Sequence, residues 1–340
     1  MDIRRAVLHG KCDLRMEAAT LPDVLEPSEI LVRTEVSALS TGTDLGNYLG
    51  DSTYVPGAPN YPRWVGYSNA GRVWAVGTAV RTLKPGDRVF APRPHQSHYI
   101  AKETDLLVRI PEAVSSAQAS LIYLTCLGLA ALRQAHYETG ENIVVIGLGV
   151  IGLATVGLAK AMGASVVGVA NSPIRARVAV ELGASAGVLS DDPAIASAIR
   201  REFNGLDADI VVLTSNPWST YFLALDLARY GGRVSILGFP GRGQAMPERN
   251  PLDPNPLYSK QLTLLGAGAS PKVECGAGDL RFNLRRNLEY ILALMATNRL
   301  DIEPLISHRI PSEHMVDAYE LARQRSKDLV AAVFVWDQAE

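Results

Sequence analysis

Cysteine is scarce in this chain of 340 residues: Cys12, Cys126 and Cys275 are the only three. They stand too far apart to form a local metal knuckle or a disulfide framework, which suits a reducing compartment. An excess of one charge is also missing. Lys and Arg number 33 against 35 Asp and Glu, a net of −2 with an isoelectric point near 6.3. No overall field draws such a chain to nucleic acid or to an anionic membrane, so a small-molecule partner is expected. Long apolar runs are few. Residues 142–159 are uncharged and mostly apolar, near the lower length for a membrane span, but Gly147, Gly149 and Gly152 interrupt them. That segment reads as a buried strand followed by a buried helix, not as a membrane segment. Residues 1–5 lead into mixed polar sequence without an apolar stretch of signal-peptide length, so a cytoplasmic location is expected. What is present is globular: 47% apolar and 20% charged residues rule out a disordered or fibrous chain. At 36.6 kDa the length sets two domains as the expectation.

The rhythm of the chain changes near residue 115. Before it, strand-length runs at 29–36, 69–76, 88–91 and 106–110 are separated by turns such as Lys84-Pro85-Gly86-Asp87. Short strands at this spacing predict a small barrel or sandwich-like unit. After it, a helix at 121–135 leads into alternation. Strands are predicted at 143–146, 165–169, 186–189, 209–213, 233–237 and 262–266, with helices at 150–162, 174–182, 193–203 and 218–230. Such alternation predicts right-handed crossovers and a doubly wound parallel sheet, an α/β fold. A helix at 284–295, a segment at 305–310, a helix at 312–323 and a strand at 329–336 close the chain, and 247–256, rich in proline, reads as a loop.

Gly147-Leu148-Gly149-Val150-Ile151-Gly152 follows a predicted strand and opens a predicted helix. In that context the pattern predicts a dinucleotide site. Gly147 permits the tight turn, Gly149 lets the backbone approach a pyrophosphate, and Gly152 lets helix and strand pack closely. The helix N-terminus supplies N–H groups and partial positive charge. The alternative is a packed core turn with no ligand. An NAD site places an acid at the end of the second strand, yet Ala170-Asn171-Ser172-Pro173-Ile174-Arg175-Ala176-Arg177 holds no carboxylate, and Glu181 is the first downstream. Asn171, Ser172 and Arg175 can instead surround a 2′-phosphate, which favours NADP(H) over NAD(H). Nicotinamide contacts are expected from the strand ends, at Thr214-Ser215, Gly238-Phe239 and Ala267-Gly268.

With these pieces in order, the chain resembles the medium-chain dehydrogenase/reductase superfamily along nearly its whole length. The resemblance is carried by Leu39-Ser40-Thr41-Gly42-Thr43-Asp44, Gly66-Tyr67-Ser68-Asn69-Ala70-Gly71, Leu83-Lys84-Pro85-Gly86-Asp87-Arg88-Val89, the glycine turn and the tail at 306–336. It implies a Rossmann domain at 121–272 inserted into a GroES-like β-barrel catalytic domain at 1–120 and 273–340, with the active site in the cleft. The Ser-x-Gly-Thr-Asp variant, Gly66-Tyr67-Ser68 and Pro94-His95-Gln96 resemble a zinc-free subgroup around bacteriochlorophyllide dehydrogenase.

Zinc-dependent members of that superfamily carry a Cys, a His-Glu pair and a further Cys or acid where this chain has Thr41, Tyr67-Ser68 and approximately Ile122-Tyr123. A second lobe with four close cysteines also has no counterpart. His95, His98, Asp44 and Cys126 follow no such pattern, and no bound zinc is expected. Hydroxyls and imidazoles must then stabilise the substrate oxygen and carry its proton. By position, Thr41 and Tyr67 are the leading donors, with Ser40 and Tyr123 beside them. His95 either relays a proton or holds a loop. Three readings follow: an alcohol dehydrogenase or ketone reductase acting on a polar secondary alcohol, an enone or quinone reductase, and a silent NADPH-binding protein. A homodimer is implied by the resemblance, and also by the apolar sixth strand at 262–265, a sheet edge of the kind proteins avoid exposing.

Overall fold

The computed structural model describes residues 1–50, 60–270 and 283–336. The chain divides into two compact units. One comprises Met1–Tyr123, Leu288–Ala296 and Ile306–Glu340, the other Leu124–Asn287 and Thr297–Leu305. The expected return to the first domain at residue 273 lies outside the described residues.

The first unit begins with strands β1 (Asp2–Gly10), β2 (Asp13–Thr20) and β3 (Glu29–Ala38), then a short helix α1 (Thr43–Tyr48). Strands β4 (Arg63–Trp64), β5 (Asn69–Val76), β6 (Arg88–Ala91), β7 (His98–Lys102) and β8 (Val108–Arg109) follow, before helix α2 (Ser116–Ser120). The expected helix at 121–135 is α3 (Ile122–Gln134), preceded by α2, whose Ser115–Gln118 capping box gives it a start of its own. The second unit continues β9 (Asn142–Ile146), α4 (Val150–Ala161), β10 (Ser165–Ala170), α5 (Pro173–Glu181), β11 (Ala186–Leu189) and α6 (Ile195–Glu202). Next come β12 (Ala208–Leu213), α7 (Trp218–Leu227), β13 (Ala228–Ile236), α8 (Pro254–Lys260) and β14 (Thr263–Gly266). Helix α9 (Leu284–Ala296), strand β15 (Ile306–Pro311), helix α10 (Met315–Arg323) and strand β16 (Ala331–Val335) complete the chain.

In the second unit six parallel strands pair in the order β11-β10-β9-β12-β13-β14. Growth runs outward from β9 through β10 to β11, then restarts on the other side at β12. This is the doubly wound arrangement, and its reversal point lies between β9 and β12. Helices cover both faces, so the central strands are apolar throughout: Ile143 to Ile146 and Ile210 to Leu213 are all buried. Strand β14 is an edge, as expected, with Leu264 and Leu265 half-buried.

Two expectations fail here for local reasons. The proline-rich segment is not loop throughout, because Asp253 accepts from Asn255 N–H as an N-cap and Pro254 sits where its fixed φ suits a first turn, starting α8. Helix α7 stops short of residue 230 because Ala228 turns extended and enters β13. The Lys260 ammonium donates to the carbonyls of Leu225, Asp226 and Ala228 at 3.1, 2.7 and 3.0 Å, satisfying that helix end.

In the first unit β15-β16-β3-β5-β6-β8 form one sheet, joined by β7 on β3, and β2-β1-β4 form another. Residues 95–97 stitch the two together. Ala6 N–H donates to His95 O, His95 N–H to Val65 O, Ser97 N–H to Arg4 O and Thr34 N–H to Ser97 O. Beneath them Leu8, Leu39, Tyr48, Tyr319, Phe334 and Trp336 pack into one buried cluster.

Candidate functional site

The three glycines of the turn after β9 differ in what requires them. Gly147 has φ +96°, and a Cβ there would lie 2.7 Å from Ser215 Cβ. Its N–H donates to Val169 O at 3.0 Å, and its carbonyl accepts from Thr214 Oγ1. At Gly152 a Cβ would meet Gly147 O at 2.0 Å. The protein's own packing explains both. Gly149 is otherwise: its φ of −79° suits any residue, and a Cβ there would meet nothing within 4 Å. A glycine that no internal contact demands fits the close approach of a group from outside. Leu148 and Val150 are buried and Ile151 half-buried, so these residues can offer backbone rather than side chains. No side chain caps α4, which leaves its first-turn N–H groups facing the turn. The turn fits the pyrophosphate of a dinucleotide.

At the end of β10, Ala170 is buried and Asn171 exposed. Arg175, half-buried in the first turn of α5, is desolvated, which lowers its pKa from the ordinary range. Ser172 has a second duty. The residue is 1% exposed, and its hydroxyl accepts from Arg175 N–H as the N-cap of α5, so it holds the helix start and has only its own O–H proton left to offer a ligand. Arg177 pairs with Glu181 at 3.7 Å along the exposed helix face.

The strand ends are also partly committed. Thr214 N–H donates to Ile146 O, Gly238 N–H to Leu213 O, and Ala267 N–H to Ile236 O. Phe239 N–H donates to Asn216 Oδ1, Gly268 N–H donates to Gln134 Oε1, and Ser215 Oγ pairs with Thr220 Oγ1. Those five N–H groups serve the turns themselves, so backbone contacts to a nicotinamide carboxamide from these strand ends fall to their carbonyls and to the Ser215 N–H. Thr214 and Ser215 buttress Gly147, and Gly238 packs against them, since a Cβ there would lie 2.5 Å from Ser215 O.

In the first unit the polar groups gather around a buried carboxylate. Asp44 is 1% exposed, and its two oxygens accept from Ser40 N–H at 2.9 Å and Gly66 N–H at 3.0 Å. Burial pushes its carboxyl up to about 6. Tyr67 OH donates to Ser40 Oγ at 2.7 Å, and the Tyr123 ring meets the Tyr67 ring edge-on at 5.2 Å. Burial, with the charge of Asp44, raises the Tyr67 phenol well above its ordinary range, so it stays protonated. Thr41 lies half-buried on the same turn, and Ser68 is sealed, its hydroxyl donating to Ser120 O at 2.5 Å. Ser40, Tyr67 and Tyr123 are thus brought together.

His95 is not a surface turn residue. It is fully buried, its Nδ1 faces Ser37 Oγ at 2.9 Å, and burial holds its imidazole down to about 3. A sealed, neutral ring meets no solvent directly, and of the two roles expected for His95 its contacts with Val65, Ala6 and Ser37 suit the one that holds a loop. The sequence marks Asp44 as part of the 39–44 motif and as a stray metal donor, not as a buried anchor, and it gives no sign of a role for Ser37 or Trp336. The one local signal for Asp44 is an acid four residues after Ser40, among small and apolar neighbours.

Zinc takes thiolate, imidazole or carboxylate donors. Thr41, Tyr67 and Ser68 offer neutral hydroxyls, and among the described residues no three His, Cys, Asp or Glu side chains gather. His95, His98, Asp44 and Cys126 do not converge. The residues at this place do not fit a zinc ion.

Comparison with known proteins agrees with this layout. The family described as alcohol dehydrogenase GroES-like domain matches residues 26–112, and that described as zinc-binding dehydrogenase matches residues 150–274. Sorbitol dehydrogenase of Rattus norvegicus is 24% identical over 351 residues, covering 94% of this chain and 92% of that one. The chain belongs to the medium-chain dehydrogenase/reductase superfamily. Within it, the NADP-dependent isopropanol dehydrogenase of Clostridium beijerinckii is 25% identical over 312 residues, 80% of this chain and 84% of that one. The crystal structure of 2R,3R-butanediol dehydrogenase from Bacillus subtilis superposes with a TM-score of 0.79 at 22% identity, covering 98% and 99% of the two chains. As a medium-chain dehydrogenase/reductase with an intact glycine turn, the chain is an oxidoreductase that uses a nicotinamide cofactor. Among the described residues no helix is long and apolar enough to cross a membrane.

Proposed function

We propose that this chain is a zinc-independent, NADP(H)-dependent dehydrogenase that interconverts a polar secondary alcohol and its ketone. The observation that carries the reading is the Tyr67–Ser40 hydroxyl pair at 2.7 Å, on the two motifs where the superfamily resemblance implies metal ligands in zinc-dependent members. A nicotinamide, when bound, supplies or accepts the hydride. The chain's own residues do the rest. The 147–152 turn and the first-turn N–H groups of α4 hold the pyrophosphate, while Asn171 and Arg175 recognise the 2′-phosphate. Tyr67 donates to Ser40 Oγ, the Thr43 side chain also hydrogen-bonds the Tyr67 phenol, and among the described residues Ser40 Oγ donates to no other group. One proton is left to meet a carbonyl oxygen, with Thr41 a second donor and Tyr123 shaping the wall. The names of the sorbitol, butanediol and isopropanol relatives favour alcohol or polyol substrates over enones.

The test is turnover of NADPH and NADH with ketones, polyols and enones, together with elemental analysis. Ketone or polyol turnover with well under one zinc per chain, insensitive to chelators, is expected. Stoichiometric zinc whose removal abolishes turnover overturns the zinc-free reading, and activity on enones alone replaces the alcohol reading. For the phosphate pocket, Arg175→Ala should weaken NADPH binding about ten- to hundredfold, the equivalent of a charge-assisted hydrogen bond of about 1.5–3 kcal/mol. NADH binding should hardly change, and equal loss of both cofactors refutes the assignment. Pairing of two β14 edges across a two-fold axis is the dimer we propose, and a monomer mass by light scattering at micromolar concentration refutes it.

A further inference from the structure

We infer that His95 is a positioning residue for the Ser40–Tyr67 hydroxyl pair: a neutral imidazole, fixed as the Nε2–H tautomer, that directs its proton at Asp44. The tautomer follows from counting protons. Trp336 Nε1 can only donate, and it reaches Ser37 Oγ at 3.0 Å. Ser37 has one proton of its own, and among the described residues its one acceptor is His95 Nδ1, at 2.9 Å. Nδ1 therefore accepts, and the ring proton sits on Nε2.

That nitrogen has no hydrogen-bonded partner and lies 3.9 Å from Asp44 Oδ2. The distance is too long for a hydrogen bond, but a donor dipole aimed at a buried charge acts across it. Asp44 needs such support. Among the described residues no Lys or Arg pairs with it, and the other titratable groups that feel its charge are the phenols of Tyr67 and Tyr319. Its charge rests on the N–H dipoles of Ser40 and Gly66 and on that of His95. Through those two amides Asp44 ties the turn bearing Ser40 to the turn bearing Tyr67. The imidazole also fixes the second turn directly. Gly66 has φ +86°, and a Cβ there would lie 2.5–2.6 Å from three ring atoms. The Phe334 ring also meets the imidazole edge-on, at 5.0 Å.

The inference rests on the proposed roles of Tyr67 and Ser40, and its test separates the two ends of the ring. His95→Asn keeps an acceptor for Ser37 and loses the group facing Asp44; His95→Gln keeps an N–H near the Nε2 place. Amide exchange at Ser40 and Gly66 is expected to quicken about tenfold or more in the Asn variant and little in the Gln variant. In the wild type, ¹⁵N NMR should show a neutral Nε2–H ring between pH 5 and 8. In turnover the Asn variant should lose about tenfold in kcat with cofactor Kd unchanged, since small misplacements of reacting groups cost up to about 10²-fold. Its acid limb should move to higher pH, as Asp44 loses a dipole that favours its charge. A protonated or Nδ1–H ring, or equal exchange in the two variants, overturns the inference. Wild-type protein that turns over no ketone or polyol defeats the functional reading instead, and the NMR and exchange results still decide the role of His95.

Discussion

Gly149→Ala is expected to leave the fold standing and remove most dinucleotide binding, while Gly152→Ala damages the fold itself. At 149 the backbone, with φ −79° and ψ −173°, accepts any residue, and a methyl group meets no atom within 4 Å. Exchanging glycine for alanine at a helix N-cap costs a few tenths to about 1 kcal/mol, and the stiffer unfolded chain returns about 0.4–1 kcal/mol. Stability should scarcely move. The same methyl occupies the space through which a pyrophosphate approaches the α4 amides, so affinity should fall about a hundredfold, or about 2.7 kcal/mol. At 152 the methyl would stand 2.0 Å from Gly147 O and 3.0 Å from Thr214 Oγ1, both parts of a fixed turn. Overpacking of that kind costs about 1–3 kcal/mol or more. Thermal unfolding and isothermal titration of NADPH on both variants decide the matter. If Gly149→Ala binds as wild type does, the turn is a packing device only.

The contrast also shows what a sequence can and cannot say. Strand order and the glycine turn were legible because they rest on local period and spacing: buried parallel strands read as unbroken apolar runs, and the turn falls between one strand and one helix. Where a residue's surroundings come from afar, the sequence leaves its role open. His95, beside Pro94, is open between relaying a proton and holding a loop, and its burial comes from Ser37, 58 positions away, and through Ser37 from Trp336, 299 positions further on. No local pattern announces such a neighbourhood. Ser172 carries a second demand that spacing alone does not show. Its place after a strand suits a phosphate, and the same place is the N-cap of α5, where its oxygen accepts from Arg175 N–H. At Thr214 and Phe239 the chain uses for its own turns the donors that position alone would assign to a ligand.

Tyr67→Phe should lower kcat for carbonyl reduction about 10²- to 10³-fold, which is about 2.7–4 kcal/mol of transition-state stabilisation by one buried donor. The substitution is mild in packing. A phenyl ring retains the edge-on contact with Tyr123 at 5.2 Å and loses one hydroxyl, whose partners are Ser40 Oγ, which keeps the Thr43 N–H at 3.4 Å, and the Thr43 side chain. Unfolding should therefore change little, and the loss should fall in kcat, not in cofactor affinity. The pH profile distinguishes a donor from a base. Burial and the nearby Asp44 charge keep the Tyr67 phenol protonated throughout the neutral range, so its removal should not delete an ionisation there. Asp44 is the group that titrates close by, with its carboxyl pushed up to about 6 by burial. Protonation below that pH weakens the acceptor holding Ser40 and Gly66, so kcat should fall on the acid side in both the wild type and the variant. Replacing Asp44 with Asn should abolish that limb. A Tyr67→Phe enzyme with undiminished kcat moves the proton donor to Ser40 or Thr41, and Ser40→Ala and Thr41→Val then become the deciding variants. If the variant instead reduces enones normally and ketones poorly, the hydroxyl pair serves the oxygen of an alcohol or ketone specifically, because hydride addition to the β-carbon of an enone gives a delocalised enolate that is protonated at carbon, whereas addition to a ketone gives an alkoxide that takes its proton at oxygen.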